Sequence, residues 1–261
     1  MNPTQGAVRA WLVFAATLLT TAVAQEMPTL QQLSQQDLQR QLLADEVTEL
    51  TTDNGNFLVL QRQALTSYTK GTAILVPDIS EHAASPNQID SLRQQLNEHG
   101  WHTLAIMPPD TALFELSSAA EEYRQQLAQR LQAAMRQAGQ QQGNTVVIAK
   151  GSSAALLNQL YATEQLTGPA AFIMLGAYLP DHNLNRELAR HIAEQSVPTL
   201  DISHQRDNRF ANANLKLRQQ LVARNLKAQY RQRQLTGTYY DEDIHAWVLK
   251  EITGWLHSLG L

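Results

Sequence analysis

Short, nearly unbroken apolar runs recur along this chain, each followed by a stretch with helical spacing. The runs are Thr72-Ala73-Ile74-Leu75-Val76, residues 101–107, Thr145-Val146-Val147-Ile148-Ala149, residues 170–175 and Thr199-Leu200-Asp201-Ile202. Strands that are apolar at successive positions, rather than at alternate ones, belong to a mostly parallel sheet covered on both faces. Helices predicted over 88–98, 119–138, the segment after Ala149 to about Thr163, 185–194, 212–226 and 243–259 supply the cover. In the first of these, Ile89, Leu92 and Leu96 form one stripe, and Gly100 stands where a left-handed cap ends a helix. Residues 229–235 read as a last strand.

Upstream, Val47-Thr48-Glu49-Leu50 and residues 57–63 read as two strands joined by the turn Thr52-Asp53-Asn54-Gly55. An antiparallel hairpin feeding a parallel, doubly covered α/β sheet narrows the fold class to the α/β-hydrolase layout, as one domain over 46–261. Residues 176–185 are all that separates the sixth strand from its helix, so no large lid is expected and the site should be open.

The N-terminus reads as an address. Arg9 precedes an uncharged apolar stretch from Ala10 that ends in Ala22-Val23-Ala24. A basic start, a short apolar core and an A-x-A site describe a secretory signal peptide over 1–24, cleaved before Gln25. The stretch is shorter than the about 20 apolar residues that span a bilayer and contains three threonines, which disfavours an anchor. Residues 25–45 form a Gln-rich arm with a weakly amphipathic helix over 28–43. These features place the mature protein in the periplasm or outside the cell, with no membrane span after cleavage.

Charge and chemistry classes are bounded in the same way. With 20 Lys+Arg against 24 Asp+Glu, no basic patch dominates and no nucleic-acid partner is expected. The absence of cysteine removes disulfides, thiolate catalysis and a lipid-modified cysteine. No H-E-x-x-H and no phosphate-cradling glycine loop occurs, so no metal or other cofactor is expected.

The chemistry concentrates at Ala149-Lys150-Gly151-Ser152-Ser153-Ala154-Ala155, between a strand and the helical positions Leu156, Leu157, Leu160 and Tyr161. This is the strand–turn–helix layout of a nucleophile elbow, without its usual G-x-S-x-G. The strained turn needs small residues two before and two after its apex. Ser152 as apex is flanked by Lys150 and Ala154, and the lysine fits poorly. Ser153 is flanked by Gly151 and Ala155, and Gly151 by Ala149 and Ser153; both satisfy the rule. Both serines can equally be small polar caps of the helix.

Pro77-Asp78 after the third strand, His99-Gly100-Trp101-His102-Thr103-Leu104 leading to Met107-Pro108-Pro109-Asp110, and the ending Gly254-Trp255-Leu256 resemble a family of secreted bacterial proteins, a domain of unknown function with an α/β-hydrolase fold. The resemblance covers roughly residues 46–258. It implies the fold, and an elbow apex that is often not serine; it implies no substrate.

A hydrolase of this layout needs nucleophile, acid and histidine in that order. The acid belongs after the seventh strand, where Asp207 stands in the loop and Asp201 inside the strand. The histidine belongs after the last strand, where His245 is the candidate. The alternatives are that Asp207 caps the next helix and that His245 begins one. The N–H of Ile79 is a candidate oxyanion donor, and Glu81 and His82 candidate lining residues. Two readings follow. Either Ser152 or Ser153, with His245 and Asp207, hydrolyses a small or lipid-like carboxylic ester, or the cleft is catalytically inactive and binds a ligand or envelope partner, which Lys150 fits better.

Overall fold

A computed structural model describes residues 29–86, 88–110, 117–238 and 240–261. The expected signal peptide lies outside them. Eight strands form one sheet among these residues: β1 (Val47–Thr52), β2 (Gly55–Arg62), β3 (Gly71–Val76), β4 (Trp101–Ile106), β5 (Asn144–Lys150), β6 (Ala171–Leu175), β7 (Thr199–His204) and β8 (Tyr230–Leu235). Their order is β1-β2-β4-β3-β5-β6-β7-β8. β2 runs antiparallel to both β1 and β4, and the remaining pairs are parallel. This is the α/β-hydrolase order, and the expected fold class holds.

Every residue of β3, β6 and β7 is buried, as the apolar runs require. Alternate side chains serve opposite layers. Phe57, Val59, Ile74, Val76, Val147 and Phe172 pack under α3 (Ser117–Ala138), α4 (Gly151–Ala162), α5 (His182–Glu194) and α7 (Leu215–Arg224). Leu58, Leu60, Leu75, Ile148 and Ile173 pack under α2 (Ile89–Gln95) and α8 (Glu242–Ser258). The arm helix α1 (Leu30–Gln41) begins with a Thr29–Gln32 capping box and inserts Leu38 into this second core. No described helix is long and apolar enough to cross a membrane.

Three helix boundaries differ from the sequence expectation, each for a local reason. The helix expected over 88–98 tightens after α2 into a 3₁₀ turn, Leu96–His99, because the buried Asn97 amide donates to the Trp101 carbonyl (2.9 Å) and to Thr103 Oγ1 (3.3 Å). α5 begins three residues early because Asp181 caps it, accepting from the N–H groups of Asn183 and Leu184 at 2.8 and 2.9 Å. The segment expected as one helix over 212–226 is two, α6 (Arg209–Ala213) and α7, broken at Asn214. Between β6 and α5 only residues 176–181 intervene, leaving the strand ends open on that side.

Candidate functional site

The C-terminal ends of β3, β5, β6, β7 and β8 converge on a cleft of about 290 Å³, where open α/β sheets place ligands. β3 contributes Asp78, Ser80 and Glu81; β5 contributes Lys150 and Gly151. β6 leads to Gly176 and Tyr178, β7 to His204, Asp207 and Asn208, and β8 to Tyr240.

Gly151 is the turn between β5 and α4 and holds the left-handed φ of +56°. A side chain there is strained by its backbone and blocked by its neighbour, since an added Cβ would lie 2.3 Å from Asp78 Cγ. The apex of the elbow is therefore Gly151, the third of the three registers. Neither serine occupies it. Ser153 is fully buried, with its hydroxyl 3.2 Å from that of Tyr123 beneath α3. Ser152 is 3 % exposed, and its side chain meets the Tyr178 hydroxyl.

What fills the apex is a carboxylate. Asp78 Oδ1 accepts from the N–H of Ser152 at 2.8 Å and from its own neighbour Ile79 at 2.8 Å. The residue after the elbow apex and a residue of the loop after the third strand supply the two donors of an oxyanion hole in this fold. Here one carboxylate oxygen sits on both, and the carboxyl group covers the space a nucleophile's side chain would need. Burial pushes the Asp78 pKa up, opposed by these two N–H groups. Beside it, Lys150 and Glu81 form an ion pair with both side chains largely buried.

On the other side, Asp207 lines the cleft. Its Oδ2 accepts from the His204 N–H at 2.8 Å, and its Oδ1 lies 3.5 Å from His204 Nδ1. Gly176, at φ +56°, makes room for it: a Cβ would approach Asp207 Oδ2 to 3.0 Å. His245 is not among the residues lining the cleft. It lies in the first turn of α8, in a separate hollow with Pro86, Asp90, Ser91 and Gln94, and Tyr240 lines both. The structure thus brings Asp207 into the cleft lining, while Ser152, Ser153 and His245 are not among the lining residues. Asp201 serves the core instead, bound by both contacts of Arg218 Nη1 (3.1 and 3.0 Å) and by the Tyr230 hydroxyl (3.0 Å). Of the other candidates, Glu81 lines the cleft, and His82 lines a neighbouring hollow with Gln31 and Ser34 of α1.

Sequence reasoning missed Asp78, Gln88, Tyr178, His204 and Tyr240. Asp78 had one signal, its place beside the expected oxyanion donor Ile79; the tyrosines and Gln88 had none. Among the described residues, no cluster of His, Asp or Glu is arranged to hold a metal ion.

The family model described as a protein of unknown function, DUF3530, matches residues 15–120 and 114–258. No curated protein sequence matches the chain. Solved structures share the fold at low identity. Est1E from Butyrivibrio proteoclasticus superposes with a TM-score of 0.61 at 10% identity, over 82% of this chain and 98% of that one. An esterase of Pyrococcus furiosus gives 0.59 at 10% identity, over 80% and 90%. An α/β serine hydrolase homologue from Coxiella burnetii gives 0.58 at 12% identity, over 81% and 97%.

Proposed function

We propose that this chain, which belongs to the DUF3530 family of proteins of unknown function, is an exported α/β-hydrolase-fold protein that binds a small polar ligand in its strand-end cleft and performs no serine ester hydrolysis. The observation that carries the reading is the Asp78 carboxylate on the N–H groups of Ile79 and Ser152, over an apex that is glycine. A tetrahedral oxyanion needs those same donors, and an acyl group needs a nucleophile beside them. Both places are taken by a side chain of the protein itself. Export rests on the N-terminal sequence, a basic residue and apolar run ending in Ala22-Val23-Ala24.

The competing reading, a serine hydrolase acting on a small or lipid-like ester, is favoured by the esterase and serine hydrolase homologue among the fold neighbours. Fold alone does not carry activity. Hydrolysis of p-nitrophenyl acetate, butyrate and octanoate separates the two. The expected rates equal those of buffer and do not change in Ser152→Ala or Ser153→Ala; a turnover lost in either variant overturns the reading.

A further inference from the structure

The mildly acidic balance of the whole chain hides a local excess of the other sign. Residues 208–240 carry seven Lys and Arg and no Asp or Glu. Two of the seven serve the interior: Arg218 binds Asp201, and Lys227 donates to the Ile192 carbonyl and to Thr199 Oγ1 at 3.0 Å each. The same segment contains β8, the last strand of the sheet, which among the described residues pairs with β7 alone. Arg231 and Arg233 lie on this strand. The exposed Lys216 follows Leu215, whose carbonyl accepts from Gln232 Nε2 of β8 at 3.2 Å. Arg233 meets Glu251 of α8, while Arg231 and Lys216 have no ion pair among the described residues.

The backbone of β8 is open on its outer side. The Thr199 N–H donates to the Gln229 carbonyl at 2.8 Å, and the Gln205 N–H to that of Leu235 at 2.9 Å. Successive residues of a strand turn their N–H and C=O groups to opposite sides, so Tyr230, Gln232 and Gln234 present theirs outward. No described residue outside the sheet bonds the backbone of these three. Such a row is a template for one more strand. On the α8 side, Trp247 is 44 % exposed and sits one helical turn before Glu251, the residue that reaches Arg233. Tryptophan and arginine are the residue types that anchor protein interfaces.

Charge and backbone together select the occupant. A second copy paired antiparallel about Gln232 would set Arg231 of each strand against Arg233 of the other, like charges directly opposed. An anionic membrane would meet the charge but not the row of backbone donors and acceptors. An extended acidic segment meets both, bonded along the edge with carboxylates near Arg231 and Lys216. We infer that the β8 edge docks an extended acidic segment of a protein partner by strand addition, with Trp247 packing on its apolar side chains. Tyr230, Gln232 and Gln234 are not among the cleft-lining residues, so this surface is independent of the reading of the cleft.

The test titrates the purified ¹⁵N-labelled protein, at low salt, with a capped peptide about as long as β8. In it, pairs of glutamates alternate with pairs of valines, so that each face carries both. The peptide should shift the amides of Tyr230, Gln232 and Gln234 and slow their hydrogen exchange. One control has lysine in place of glutamate; the other is N-methylated at its central residues, which keeps the charge and removes the donors. Both should bind at least about tenfold more weakly. Arg231→Glu should weaken the acidic peptide about fivefold, and Lys216→Glu, on the exposed surface, gives the same reading if the first variant does not fold. No shift with the acidic peptide overturns the proposal, and binding to phosphatidylglycerol vesicles in its place would assign the charge to a membrane surface. Equal binding of the N-methylated peptide overturns strand addition. Exchange at the three amides that slows with protein concentration alone would make a second copy the occupant and overturn the acidic partner.

Discussion

On the β3–β5 side of the cleft, the backbone donors of a hydrolase are positioned and then covered: Ile79 and Ser152 point their N–H groups at one place, and Asp78 fills it. On the β7–β8 side, the carboxylate stands in place but the imagined base does not. Asp207 meets an imidazole from its own strand end, His204, while His245 lines a neighbouring hollow that shares Tyr240 with the cleft. The first side is closed by a carboxylate lying on two backbone donors, the second by an acid that pairs with a histidine from its own strand end. The difference teaches that backbone geometry follows from the fold, which strand order and small residues dictate, whereas side-chain chemistry at the strand ends varies without disturbing the sheet.

The sharpest break of this comparison is at the apex. Gly151→Ser adds a Cβ against Asp78 and a strained φ, and should cost about 3 kcal/mol in urea unfolding. Adding Asp78→Gly should restore a large part of that loss, because the two groups compete for one space. Additive losses would mean the carboxylate does not fill the apex.

Next is Asp78 alone. Asp78→Ala leaves the N–H groups of Ile79 and Ser152 without their acceptor and should cost about 1–3 kcal/mol. Asp78→Asn keeps an acceptor and should lose much less. The pH dependence has a definite sign. Burial raises the folded pKa above the ordinary 3.8, so the folded protein holds this proton more tightly than the unfolded chain. The contribution of Asp78 is therefore most favourable below 3.8 and declines as pH rises from there through the folded value. The difference in stability between wild type and Asp78→Asn, followed against pH, should move against the wild type over that window and level off above it.

The β7–β8 side should respond less. Asp207→Asn retains a carbonyl for the His204 N–H and should cost about 1 kcal/mol or less. His245→Ala, at a residue outside the cleft lining, should leave ligand titrations of the cleft unaltered. An effect of His245→Ala on the cleft as large as that of Asp207→Asn would join the two regions that the structure separates.

The sheet was legible because its strands are apolar through and through: β3, β5 and β6 fall within a residue or two of their expected bounds. The elbow was legible as a strand–turn–helix, and the steric rule left Gly151 among its possible apices. The choice among three registers was not legible, because small residues surround all of them and only φ distinguishes them. Asp78 was out of reach for another reason. Its role depends on an N–H from a residue 74 positions away, brought to it by the pairing of β3 with β5. Gln88 was hidden differently again, since a glutamine at a helix start in a Gln-rich chain looks like solvated surface until its burial is seen.

The central claim, that no serine of the elbow is an activated nucleophile, is tested most directly by treating the folded protein with a fluorophosphonate probe and mapping its peptides by mass spectrometry. The expected result is no adduct on Ser152 or Ser153. A stoichiometric adduct on either, lost when the protein is unfolded first, would contradict the account.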